Sequence, residues 1–201
     1  MNDVLRLFAD AKSLTKLCKE LKRKSATVQL GELVGGALSP YSAVAVARCG
    51  GLHVFVAEDR DAAAYLMNDF YALLDEGRVY FFPSSYKHSI TYGTEDAQGV
   101  VQRTNTMNAM RGAARDGYMI VCTYPEALAE GVVDPDTMNG GVLPVSVGDR
   151  WHISDLRDRL DGMGFVPVDF VYEPGQYSIR GGIVDIFSYS ESRPYRRGWG
   201  L

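Results

Sequence analysis

Cysteine is scarce in this sequence. Only Cys18, Cys49 and Cys122 occur, an odd number with no short spacing. That argues against a disulfide framework and against a cysteine zinc site. Histidine is equally thin: His53, His88 and His152 are scattered and make no metal pattern. No apolar run approaches the roughly 20 residues that span a bilayer. The stretch 1–14 mixes charges with apolar residues and has no signal-peptide core. A reducing cytoplasm is the expected location, with no membrane partner. A basic excess is missing too, since 21 Lys and Arg face 25 Asp and Glu, for a net charge of -4. This weighs against a dedicated nucleic-acid-binding domain, though not against a local basic patch. What remains is ordinary globular composition, 46% hydrophobic and 23% charged, sufficient for one large or two small domains.

Periodicity supplies the organisation. Val4, Leu5, Leu7, Phe8, Ala11, Leu14, Leu17, Cys18 and Leu21 recur at helical spacing. Lys19, Lys22, Arg23 and Lys24 then form a basic cluster, read as a solvated helix end. Residues 26–30 read as a strand, 31–39 as a glycine-rich turn, and 40–48 as a helix with Ser39 as N-cap and Pro40 at its first position. Further strands are predicted at 52–57 (buried), 79–82 and 118–122. Further helices are predicted from Asp59 or Asp61 to about Leu74, over 97–115 and over 125–130. Strands alternating with helices predict a mostly parallel sheet. The polar loop 84–95, with Tyr86 and Tyr92, is either a binding loop or packed on its own domain.

The texture shifts near Val133, where Asp134-Pro135-Asp136 and Asn139-Gly140-Gly141 are turn signals. A strand over 142–147 comes next, then a helix capped by Ser154 and running to Met163, with Ile153 as a hydrophobic staple. Strands at 165–172, 176–180 and 183–187 complete the pattern. The expected fold is therefore α/β: a parallel-sheet domain over 1–133, a small α+β domain over 134–196, and an atypical tail at 197–201.

Two segments carry the chemistry. Gly31 and Gly36 stand at the spacing of a phosphate-binding loop, G-x-x-x-x-G-K-S/T, between a predicted strand and a helix. Ala37 occupies the lysine position and Leu38 the hydroxyl position, while Glu32 adds a negative charge. Gly35 is a further glycine of the stretch. The lysine contacts the β- and γ-phosphates and the hydroxyl holds Mg²⁺, so phosphoryl transfer loses its electrostatic support here. A plain glycine-rich turn makes the same prediction: no catalysis and no cofactor. The second segment, Tyr177-Ser178-Ile179-Arg180-Gly181-Gly182-Ile183-Val184-Asp185-Ile186-Phe187, reads as a hairpin with Arg180 and Asp185 placed to pair across the glycine turn.

This hairpin resembles the Y-x-x-R-G-G-x-x-D-I-F signature of the bacterial transcription-repair coupling factor family, a related form of which occurs in UvrB. Leu30-Gly31-Glu32-Leu33 with Gly35 is similar to that family's degenerate phosphate loop. The run from Asp155 to Phe165 resembles the family's passage before the signature, and Pro194-Tyr195-Arg196 resembles the passage after it. The resemblance implies an N-terminal region similar to UvrB domains 1a and 2, without ATPase activity, whose second domain recruits UvrA. In the full-length family protein, a DNA-dependent ATPase and translocase, RNA polymerase and DNA are partners too. It implies a UvrA-binding surface with Arg180 as first candidate and Ile186 and Phe187 as further ones; the alternative for Arg180 is a salt bridge to Asp185 within the domain, which need not matter for binding. Ser188 departs from the family's usual proline, and the tail 197–201 does not continue as family members do. The alternatives are an ATPase or helicase half-domain of UvrB type that binds DNA, and a small-molecule α/β enzyme, for which no nucleophile–base set is visible.

Overall fold

The computed structural model describes residues 3–86, 96–112, 117–132, 141–146, 149 and 151–198. Two short helices open the chain, α1 (Asp3–Ala9) and α2 (Lys12–Leu21). Their apolar stripe buries Leu5, Leu14 and Leu17. Strand β1 (Gly51–Val56) follows α3 (Leu38–Cys49), and β2 (Val79–Phe81) follows α4 (Arg60–Leu73). Asp59 fixes the start of α4 by accepting the Ala62 N–H at 2.8 Å, satisfying one of the orphan donors of a helix start. After α5 (Ala97–Gly112) come β3 (Tyr118–Thr123) and α6 (Pro125–Ala129), which has proline in its first turn.

The three strands are parallel, in the order β1-β3-β2. The central strand is the most apolar, and both of its faces are covered, as parallel sheets require. On one face Ile120 and Cys122 meet Ala63, Phe70, Val79 and Phe81 beneath α3 and α4. On the other, Met119 and Val121 join Phe82 and Met107 of α5.

The small unit has α7 (Ile153–Gly162) and a four-stranded sheet: β4 (Val166–Pro167), β5 (Gln176–Arg180), β6 (Ile183–Ile186) and β7 (Tyr195–Gly198). β4 and β5 are parallel, and the other pairings are antiparallel. Leu156 and Leu160 of α7 pack on Tyr177 and Val184, with Ile179 and Ile186 alongside. A mixed α/β body with a three-stranded parallel sheet and a second, four-stranded sheet is thus present.

Several expectations need correction. Residues 26–34 are irregular and largely exposed, not a strand at 26–30, because the run finds no strand to pair with among the described residues. β1 is not buried: Leu52, Val54 and Val56 are 43%, 48% and 53% exposed. It lies at the sheet edge, and α5 covers only the β2–β3 side. Helix α3 begins at Leu38, so Pro40 sits inside its first turn, and Ser39 bonds Asp69 at 2.5 Å instead of capping. Helix α7 begins at Ile153, with His152 before it, and Ser154 contacts Asp155 at 3.2 Å. Residues 142–146 form no strand, and the strand expected over 165–172 shrinks to β4. Arg197 and Gly198, set aside as tail, pair with Val184 and Ile183 inside β7. The expected turn signals at 134–140, the boundary near 133, Tyr92 and most of the loop 84–95 lie outside the described residues, as do 199–201.

Candidate functional site

The hairpin brings its bracketing charges together. The last ladder pair is Arg180 with Ile183, leaving Gly181-Gly182 as a two-residue turn. Gly181 alone of the two has a positive φ, 57°, which suits a II′ turn and the twist of its strands. Pairing in register sets Ser178 opposite Asp185, and β7 sets Arg196 beside Asp185 on the other flank. Alternation then divides the sheet. Tyr177, Ile179, Val184 and Ile186 face α7, while Arg180, Asp185 and Arg196 share the opposite face.

On that face one carboxylate holds two guanidiniums. Arg180 donates to Asp185 Oδ2 at 2.7 Å. Arg196 donates to Oδ1 at 2.7 Å and to Oδ2 at 3.0 Å, a two-point bond. The Asp185 side chain is only 9% exposed, against 39% for Arg180 and 67% for Arg196. Hydrogen bonding from Arg196, then from Arg180, lowers the Asp185 carboxyl pKa against the opposing effect of burial. The same bond raises that of Arg196. Phe170 lies 4.7 Å under the Arg180 guanidinium, which adds a cation–π contact. A cleft of about 310 Å³ opens here, walled by Phe170, Tyr172 and Tyr195 with the two arginines. All three aromatic residues are more than half exposed.

Sequence reasoning found Arg180 and its pairing with Asp185. It gave no role to Arg196 or to the aromatic residues; the register of β7 against β6 is the signal that supplies the former. Ile186 packs partly against the α7 core, and Phe187, outside that cluster, is 9% exposed. Neither joins the arginine face as an open side chain.

The glycine stretch lies elsewhere. With 26–30 irregular, it lacks the strand before it, and a single 3-10 turn, Gly35–Ala37, leads into α3. Glu32 adopts φ 62° and Gly35 φ 58°; the left-handed region is uncommon for a residue with a side chain. Gly31 and Gly36 border open space, and Leu38 is 45% exposed. Neither Ala37 nor Leu38 carries an ammonium or hydroxyl group, and the nearby Ser39 hydroxyl is engaged by Asp69. Among the described residues no group of three or more His, Cys, Asp or Glu side chains is placed to hold a metal ion. No helix among them is long and apolar enough to cross a membrane.

A buried arginine–carboxylate cluster sits where β2 and β3 end. Arg103 donates to the Pro83 and Ala127 carbonyls at 2.8 and 2.9 Å and lies 3.5 Å from Glu130. Glu130 accepts from the Ser84 hydroxyl and from the Ser85 hydroxyl and N–H. Burial would raise the Glu130 carboxyl, but these bonds and Arg103 outweigh it and lower the pKa.

Comparison with known proteins places this arrangement. Residues 143–198, the small unit, match the UvrB interaction domain. Over 169 residues, 83% of its length, the chain is 28% identical to the transcription-repair-coupling factor of Escherichia coli K12. It is 25% identical over 135 residues to that of Bacillus subtilis 168, covering 67% of the chain. It is also 26% identical over 165 residues to UvrABC system protein B of Nitratidesulfovibrio vulgaris Miyazaki F, covering 75%. The chain spans 14%, 11% and 24% of these three relatives. The resemblance read from the hairpin signature therefore stands: the chain is UvrB-like, and similar over most of its length to the transcription-repair coupling factor.

Proposed function

We propose that this chain is a non-catalytic module of nucleotide excision repair that binds UvrA through the arginine face of its small sheet. Within a longer protein of the coupling-factor type it would recruit UvrA where RNA polymerase has stalled on damaged DNA. The observation that carries the reading is the pair of outward guanidiniums, Arg180 and Arg196, fixed on one nearly buried carboxylate amid exposed aromatic residues. Arginine and aromatic side chains are the residues that dominate binding hot spots. Held in place before contact, they lose less freedom on binding than free side chains would. Ile186 and Phe187 serve the same surface from behind by holding β6 in register. In this reading the larger unit is a UvrB domain 1a-like body whose glycine stretch is a degenerate phosphate loop. Ala37 and Leu38 stand where the cation and the Mg²⁺ ligand are needed, which supports the absence of ATP hydrolysis.

The test is a calorimetric titration of the folded chain against purified UvrA, with Arg180→Ala in parallel. Saturable binding by the parent and at least about tenfold weaker binding by the variant, a loss of about 1.4 kcal/mol, is the expected result. Absence of binding by the folded parent overturns the reading. A DNA titration then decides the ATPase-type alternative, since affinity for a phosphate backbone falls steeply with salt.

A further inference from the structure

Two of the three thiols belong to helices that pack on each other. Cys18 lies on α2, and Cys49 is the last residue of α3. The Cys18 thiol donates to the Ala45 carbonyl at 3.9 Å, and Ala45 precedes Cys49 by one helical turn on α3. Cys18 is the neighbouring thiol that acts on Cys49. Both are half-buried, within reach of a small reagent, whereas Cys122 is fully enclosed in the core. Burial and the Cys18 thiol push the Cys49 pKa up to about 11, while the charge of Lys22, one turn beyond Cys18, pulls it the other way.

We propose that Cys18 and Cys49 are a covalent modification site, closing to an intrachain disulfide when the chain meets a small disulfide such as oxidised glutathione. The Cys18 thiolate attacks one sulfur of oxidised glutathione. A Cys18–glutathione disulfide forms, the original S–S bond breaks, and one glutathione thiolate leaves and is protonated. Cys49 gives its proton to water and attacks the Cys18 sulfur, expelling the second glutathione. Two protein thiols are oxidised and one glutathione disulfide is reduced to two thiols. The second step quickens as pH rises toward the Cys49 pKa, because the thiolate is the nucleophile.

The closed ring takes in residues 19–48, and with them the whole glycine stretch. That stretch already forms one wall of a groove whose other wall is α2, with Leu17, Glu20, Leu30, Gly31, Leu33 and Tyr41 around it. Oxidation would tie α2 to α3 and restrain the unfolded chain. The inference is independent of UvrA binding.

The experiment incubates the reduced, folded chain with oxidised glutathione and reads intact mass, free thiols and a non-reduced peptide map. The expected result is loss of two thiols with Cys122 retained, a peptide joining Cys18 to Cys49, and a higher melting temperature that reductant reverses. Glutathione adduct should occupy less than about a tenth of parent molecules, because the neighbouring thiol is at high effective concentration. In Cys49→Ser, which lacks the resolving thiol, the adduct on Cys18 should accumulate at least about tenfold more. A parent that keeps all its thiols, or holds a lasting adduct, or links through Cys122, overturns the proposal. If the variant does not fold, the peptide map of the parent still decides.

Discussion

Two arginine–carboxylate clusters lie in the two units of the molecule, built from the same chemical pair and set in opposite surroundings. In the parallel-sheet unit Arg103 is 8% exposed and Glu130 15%. The bonds of Arg103 close on the protein itself, at Pro83, Ala127, Gly131 and Glu130, and its guanidinium stacks 4.1 Å over Phe82. In the small unit the carboxylate is the hidden member, and both arginines reach outward. Burying the cation makes a brace that ties strand ends to α6. Burying the anion instead makes an anchor that leaves the cations exposed. In the proposed reading, burial of one charge or the other, more than the identity of the pair, separates a structural cluster from a recognition surface.

The comparison breaks most sharply at Arg103. Removing one member of a buried pair leaves the other uncompensated, so Arg103→Ala should cost about 3–5 kcal/mol of stability, read by urea unfolding; a loss near zero would erase the distinction. Arg180→Ala should behave in the reverse way. Its stability change should stay within about 0–1 kcal/mol, as for exposed pairs, while UvrA affinity falls at least about tenfold. Equal losses in both quantities would make Arg180 a brace as well. A smaller effect is expected behind the surface, where Tyr177 donates to Asp161 at 2.8 Å. Tyr177→Phe should cost about 1 kcal/mol in the same unfolding experiment.

Acid titration compares the two anions. Both carboxyls have folded pKa values lowered from their ordinary ones. The stability each contributes is therefore complete above the unfolded carboxylate range, about pH 4. It is lost as pH falls through the lower folded value. Glu130→Gln and Asp185→Asn should each flatten part of the acid limb of the stability curve, checked by melting temperature against pH. An unchanged limb in both variants would contradict the lowered values.

Much of this was legible in the sequence, for identifiable reasons. The run around Ile120 announced a buried strand because a strand covered on both faces is apolar at every position. Arg180, the glycine pair and Asp185 announced a hairpin because the turn residues leave few other geometries. Burial of β1 was misread because an edge strand and a central strand share one apolar composition, and only the neighbours tell them apart. Residues 26–30 and 142–146 failed as strands for a related reason: β propensity becomes a strand only where a pairing partner exists. Ser39 and Ser154 looked like caps, but a carboxylate contact on Asp69 and Asp155 took each hydroxyl instead. Arg196 was invisible as a candidate because its place beside Asp185 comes from a register between two strands, which local sequence does not encode.

The open rim of the parallel sheet has a practical consequence. β1 has β3 as its one neighbour among the described residues, carries no Lys, Arg, Asp or Glu, and presents Leu52, Val54 and Val56 to water. Natural sheets blunt such rims with charge, proline or a bulge. Colloidal behaviour is the property at stake: concentrated solutions will lose material by strand-to-strand adhesion, and Val54→Lys should keep more of the chain in the supernatant after centrifugation.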